Sequence, residues 1–355
     1  KIGINGISYY AMNQWQVAGL QPPHLTAMCA WEGAADFYRD MSFHGGLYNT
    51  WLDSWFENSA MPRQHGLGSN GYRSRVNGDL VSGPETLSEE ELGSNRSDFA
   101  GEFFSHPMEG EFWKERSGNL SKIEVPFFSA GNGGGHGLHL RGNVEGFMRA
   151  SSKEKWLEIH GLEHWTHFYT DYGVNLQKKF FGHFLKGEDT GWKDQPPVQL
   201  QVRHVDETFV ERAENEWPLA RTQWTKFYLH PEDHSLRPEP SSVAENVTYE
   251  ALGDGVTFLT APFEEETEFT GPSAAKLFVS SETEDADMFL VVRLFTGDMK
   301  EVVFQGALDP HTPIAHGWLR ASHRKLDPEL SLPYRPYHTH DEKQPLTPDK
   351  VYDLD

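Results

Sequence analysis

Cysteine is almost absent. Cys29 is the only one in 355 residues, so no internal disulfide can form, and its apolar neighbours mark it as a buried structural thiol rather than a redox centre or nucleophile. Basic side chains are scarce beside acidic ones: 31 Lys and Arg against 53 Asp and Glu leave a formal charge of −22. Such a surface repels phosphate backbones and anionic lipid, which excludes nucleic acid and a membrane surface as expected partners. The chain also lacks any uninterrupted apolar run of the ~18–20 residues that a bilayer helix needs, and no basic-then-apolar leader opens it. The expectation is a soluble chain placed in the cytoplasm. Oily mass is plentiful, with 37% hydrophobic and 13% aromatic residues, too much for disorder. The length calls for two or more cores.

Local patterns divide the chain. Lys1–Ile7 reads as a strand, Ser8 follows at once, and YYAMNQWQVAG (9–19) reads as a helix stopped by Gln21-Pro22-Pro23. HLTAMCAW (24–31) is a second strand, and a strand–helix–strand unit of this size favours a parallel α/β layer. Residues 41–120 change character and read as an inserted, partly helical cap. The layer resumes with a strand at Ile123–Ser129, the glycine-rich AGNGGGHG, a helix around EGFMRA, the strand KWLEIH (155–160), the loop GLEHW and a helix around Val174–Leu185. Beyond residue 190, runs such as VQLQVRH, TKFYL, VTFLTAPF, MFLVVRLF, EVVFQGAL and IAHGWLRASH alternate as short strands of an all-β sandwich do. The expected organisation is an α/β part at 1–40 and 121–190, the cap at 41–120 and the sandwich at 191–355.

The chemistry gathers at the turns. Gly6-Ile7-Ser8-Tyr9-Tyr10 puts a serine at a strand-to-helix turn, where a strained backbone pushes Oγ out of the sheet and the Tyr9 N–H can stabilise an oxyanion. A plain helix N-cap is the competing use of Ser8. A serine nucleophile needs a base, and His164, in the loop after KWLEIH, occupies the late position such a base takes. A histidine of the domain junction is the alternative there.

The runs NGISYYAMNQWQ, AWEGAADFYRD, LEIHGLEHW, FFGHFLKG and FTGPSAAKLFVSS resemble the cocaine-esterase and X-prolyl dipeptidyl peptidase family over nearly the whole chain. The resemblance implies a partial α/β-hydrolase, running from the nucleophile strand onward, with a helical cap and a following jelly roll. It further implies cleavage of an ester or amide through an acyl-enzyme, without cofactor, on a small-molecule ester or short peptide. The family motif falls on Gly6, Ser8, Tyr9 and Ala11, and its histidine on His164. Two departures stand out. Where the family carries its triad aspartate, this chain has Gly131-Asn132-Gly133-Gly134-Gly135 and no carboxylate. The strands expected before the nucleophile are also absent, so the chain is expected to be a fragment, or to have its sheet completed by a second chain or a second copy.

For the missing acid the reading selects Glu32, which directly follows the strand next to the nucleophile strand and so emerges at the same sheet end as Ser8. Glu163 and Glu145 rank behind it, and a helix-start role is the rival use of Glu32. Trp31, Trp51, Trp55 and Trp165 are expected to line the substrate pocket, although packing competes for such aromatics. Histidines crowd at 136, 139, 160, 164 and 167 with spacings that could share a metal. No matching acids are evident, so no metal is expected. The rival to an enzyme is a binding protein with a decayed hydrolase half.

Overall fold

In the computed structural model, residues 1–84, 86–206, 208–307 and 309–355 are described. The α/β part is a six-stranded sheet of β1 (Ile2–Ile7), β2 (Leu25–Trp31), β3 (Phe127–Asn132), β4 (Lys155–His160), β5 (Val198–Arg203) and β6 (Phe209–Glu214), arranged spatially in that order. The first five run parallel and β6 returns antiparallel to β5. Helices α1 (Tyr9–Gly19), α2 (Leu140–Arg149) and α3 (Asp171–Phe181) make the connections.

The two faces of the sheet are legible in β2. Met28 and Ala30 join a core with Ala11, Trp15, Phe127 and Leu157, while Ala27, Cys29 and Trp31 join another with Phe128, Phe180 and Trp192. Alternate residues thus feed alternate faces, and a strand covered on both must be apolar throughout. The Cys29 thiol is wholly buried, which raises its pKa and removes it from chemistry.

Two expectations shift. The strand expected at Ile123–Ser129 begins instead at Phe127, after Pro126, because proline offers no N–H to the ladder. VQLQVRH, expected to open the sandwich, supplies β5 of the parallel sheet, since Val198 and Leu200 pair in parallel with the buried Leu157 and the partly buried Ile159. Periodicity alone does not say which sheet a strand joins.

Residues 41–120 hold short helices, among them Trp51–Trp55, Glu89–Asn95 and Phe99–Phe104, around a core of Tyr38, Phe43, Leu52, Phe103 and Trp113. The C-terminal part is β-rich. Its longest antiparallel pair is β8 (Asp287–Val292) with β9 (Ala315–Arg320), and β7 (Leu277–Val279) pairs with β10 (Tyr352–Leu354). EVVFQGAL contributes only Glu301–Val302 as strand, and its last residue, Leu308, lies outside the described residues. No helix among the described residues is long and apolar enough to cross a membrane.

A partly buried ionic cluster joins these parts, with Asp40 and Glu145 as its buried members. Arg39 pairs with Asp36 at 2.8 Å and Glu109 at 3.0 Å, and donates to the carbonyls of His338 and Thr339 at 3.0 and 2.9 Å. Arg141 of α2 pairs with Asp40 at 2.6 Å, and Arg335 of the β-rich part with Glu145, which accounts for the buried glutamate of that helix. Gly45 packs so closely on β9 that a Cβ would stand 1.9 Å from the Trp318 carbonyl oxygen.

At this junction His323 and His340 face each other, Nδ1 to Nδ1, at 3.0 Å, so at least one must be neutral. Burial, together with nearby cationic side chains, pushes His323 down to about 4. Burial likewise takes His338 to about 4 and His340 far below the usual histidine range. Each therefore binds its proton more readily when unfolded, so stability is full above about pH 6.5 and declines as the pH falls toward 4. We expect the urea midpoint to drop between pH 7 and pH 4.5, and the drop to shrink in His338→Gln. A midpoint flat over that range would show that these imidazoles are not buried in the neutral form.

Candidate active site

The carboxyl ends of β1 to β4 meet at one edge of the sheet, where α/β folds place their ligands. Ser8 ends β1 with φ 59° and ψ −119°, a conformation that costs a non-glycine residue of the order of 1–3 kcal/mol. Its N–H donates to the Trp31 carbonyl at 3.0 Å, and its carbonyl accepts the first bonds of α1 from Ala11 and Met12, both 2.9 Å. The turn requires Gly6, where a Cβ would stand 2.6 Å from the Tyr10 Cβ. The side chain of Ser8 caps nothing in the helix. Tyr9, as first residue of α1, has an N–H with no partner inside the helix.

The Ser8 hydroxyl instead meets an imidazole: Oγ lies 3.2 Å from Nε2 of His139. His139, the N-cap of α2, is a site residue that sequence reasoning missed. The glycine-rich run hides how sharply the chain turns back from β3, with the His139 N–H donating to the Gly135 carbonyl at 3.2 Å. Burial, with the His164 ring beside it, pushes His139 down to about 3, and its Nδ1 has no partner. It is thus a neutral imidazole without a carboxylate behind it. The rings of His139 and His164 lie face to face, 9° from parallel, with centroids 5.0 Å apart.

A carboxylate stands near His164 instead: its Nδ1 is 3.8 Å from Glu32 Oε2, an ion-pair separation without an aligned hydrogen bond at rest. Glu32 sits just past β2 at φ 52°, wholly buried, with its N–H donating to the Ala130 carbonyl at 2.7 Å. Burial by itself would raise its carboxyl, but His160, 2.8 Å away at Nε2, and His164 hold it down to about 2. The next residue is pinned by Asn143, whose Oδ1 accepts the Gly33 N–H at 2.6 Å and whose Nδ2 donates to Ala30 O and Ser129 Oγ at 3.0 and 2.8 Å. A Cβ on Gly135 would stand 3.5 Å from Glu32 Oε2, so the space in front of the glycine run is where the Glu32 carboxylate lies. Glu163 accepts from its neighbour Thr166 at 2.8 Å, as a local cap does.

The four tryptophans divide. Trp31 is buried beneath the site against Phe128, His160, His167 and Phe168, so it packs the core and does not line a pocket. Trp55 stands 5.9 Å from the Tyr9 ring and stacks on Trp51, while Trp165 is half exposed against His164. These three stand beside elements of the serine–histidine edge.

Comparison with known proteins agrees with this architecture. Residues 1–169 match the X-Pro dipeptidyl-peptidase S15 family, and residues 190–355 match the X-Pro dipeptidyl-peptidase C-terminal non-catalytic domain. The chain belongs to the cocaine-esterase and X-prolyl dipeptidyl peptidase family. A CocE/NonD family hydrolase from Staphylococcus aureus superposes with a TM-score of 0.81 at 31% identity, over all of this chain and 60% of that one. An α-amino acid ester hydrolase shares the fold, with a TM-score of 0.66 at 12% identity over all of this chain and 65% of that one. Curated relatives from Mycobacterium bovis and Mycobacterium tuberculosis, which carry serine esterase in their names, are 27% identical over 217 residues. That match takes in 49% of this chain and 31% of theirs, so the chain spans about a third of their length.

Proposed function

We propose that this chain carries the acyl-transfer centre of a serine hydrolase that cleaves an ester or amide through an acyl-enzyme. The observation that carries the reading is Ser8, held in a strained strand-to-helix turn with its hydroxyl against an imidazole and a free helix N–H beside it. In the proposed cycle Ser8 Oγ attacks the scissile carbonyl and the Tyr9 N–H binds the developing oxyanion. A base must take the serine proton and then hold it as imidazolium, which favours the imidazole backed by a carboxylate. His164 with Glu32 meets that condition. His139, neutral and stacked on His164, holds Oγ at rest and is a positioning residue. For His164 to act as the base, the serine hydroxyl must leave the His139 imidazole that it meets at rest. Trp51, Trp55 and Trp165 offer the apolar surface for the acyl group.

The two histidines give the test. His164→Ala should lower kcat by roughly 10³-fold or more with little change in KM, whereas His139→Ala should cost roughly 10-fold to 100-fold. The reverse order would make His139 the base and sink the assignment of His164. Acyl p-nitrophenyl esters assayed beside X-Pro p-nitroanilides would decide between ester and peptide. Among the described residues β1 pairs only with β2, and we propose that its other edge takes a further strand or a second chain. Light scattering showing a strictly monomeric, non-aggregating chain would count against that.

A further inference from the structure

Behind the proposed acid lies a second cluster, which meets Glu32 through His160. Glu158 and His160 are two apart on β4 and so project from the same face, and His167 reaches them from the short helix Thr166–Tyr169. All three are buried, and Glu158 Oε1, His160 Nδ1 and His167 Nε2 lie within 4.8 Å of one another. Glu158 Oε1 is 2.8 Å from His167 Nε2 and 3.6 Å from His160 Nδ1. Neither Oε1 nor His160 Nδ1 nevertheless has a properly directed hydrogen bond. A buried carboxylate oxygen without an aligned donor is costly. His167 Nε2 also lies 3.5 Å from the Gln201 amide nitrogen, at the limit of a hydrogen bond; Glu158 Oε1 and His160 Nδ1, close but misaligned for N–H donation, suit lone pairs that converge on a common centre.

The surroundings fit that centre. The Tyr172 hydroxyl donates to Glu158 Oε2 at 2.7 Å, orienting the carboxylate and leaving Oε1 to point inward. Glu32 Oε1 stands 2.8 Å from His160 Nε2, likewise without an aligned hydrogen bond; the carboxylate charge on that side favours the proton on Nε2 and leaves the Nδ1 lone pair for a ligand. Carboxylates and hydroxyls behind the ligating side chains are the usual outer shell of a metal centre. The Trp31 ring, 5.9 Å from His160 and 6.0 Å from His167, supplies an apolar wall. Sequence spacing looked for acids among the loop histidines and missed Glu158 because it is a strand neighbour of His160.

We propose that Glu158, His160 and His167 bind one divalent transition-metal ion of the zinc class. Two imidazoles with one carboxylate suit Zn²⁺ and disfavour Mg²⁺ and Ca²⁺, which take oxygen ligands. The ion would tie β4 to the helix beyond the 161–165 turn and so brace the loop that carries His164. Three protein ligands leave one position of a tetrahedral ion to water, and the proposed acyl transfer routes no step through it.

The test uses the untagged chain, stripped with chelator and titrated with Zn²⁺ by competition calorimetry, with Co²⁺ absorption as a second readout. One Zn²⁺ per chain is expected. His167→Ala should weaken binding by at least ~100-fold and Tyr172→Phe, which preserves the ring and its packing, by roughly 10-fold to 100-fold. Ser8→Ala and His136→Ala should bind as the unmodified chain does. Loss of activity in Ser8→Ala with Zn²⁺ binding intact separates this inference from the acyl-transfer reading. Absence of saturable Zn²⁺ binding, or unchanged affinity in both folded His167→Ala and folded Tyr172→Phe, would overturn it.

Discussion

Ser8→Ala should abolish covalent labelling by a fluorophosphonate probe and lower turnover by roughly 10⁴-fold to 10⁶-fold, while the fold survives. The reason is local. Ser8 is the residue that the β1–α1 turn forces to φ 59°, and its Oγ meets the His139 imidazole at 3.2 Å. Alanine accepts that conformation about as poorly as serine does, and it removes no helix cap, because the Ser8 side chain makes none. Stability should therefore change little, so a lost reaction cannot be blamed on unfolding. Mass spectrometry of the labelled peptide places the adduct. An adduct on another residue, or equal labelling of Ser8→Ala, would remove the nucleophile assignment.

Glu32→Gln is expected to cost roughly 10³-fold to 10⁴-fold in kcat, since the amide can no longer stabilise the imidazolium on His164. The structure offers a sharper form of this experiment. The Gly135 backbone has no positive φ, and a Cβ there would point to within 3.5 Å of the Glu32 carboxylate. An aspartate at 135 can thus deliver a carboxyl to the same place from a different strand end, provided the Asn132 carbonyl, 3.0 Å from that Cβ, gives by a few tenths of an ångström. In the Glu32→Ala background, Gly135→Asp should restore at least ~10-fold of the lost rate, because truncation at 32 opens the room that the new side chain needs. Near-normal turnover in Glu32→Gln would instead place the acid elsewhere.

What could be read from the sequence was whatever depended on neighbours in the chain. The strand Ile2–Ile7, the turn at Ser8, the helix Tyr9–Gly19 and the strand Lys155–His160 each show their own periodicity and punctuation. Glu32 could be selected because parallel strands bring their carboxyl ends to one edge. His139 could not, since its approach to Ser8 depends on how tightly a run of glycines folds back, and glycine leaves no pattern of burial to read. Trp31 misled for the opposite reason: as the last residue of a doubly covered strand it faces the core, and an aromatic next to a site residue looks the same in sequence either way. The sheet joined by Val198–Glu214 was hidden because alternation reports a half-buried strand without naming its neighbour.

The Arg39 and Arg141 cluster has a consequence for how the chain comes apart. The guanidinium of Arg39 is shared among Asp36, Glu109 and the carbonyls of His338 and Thr339, so removing the β-rich part would strand a buried cation with its chain-end acceptors gone. Arg39 would keep Asp36 and Glu109 but lose two carbonyl acceptors, so separating the two parts is disfavoured. We expect the α/β part and the β-rich part to melt together, in one calorimetric transition instead of two.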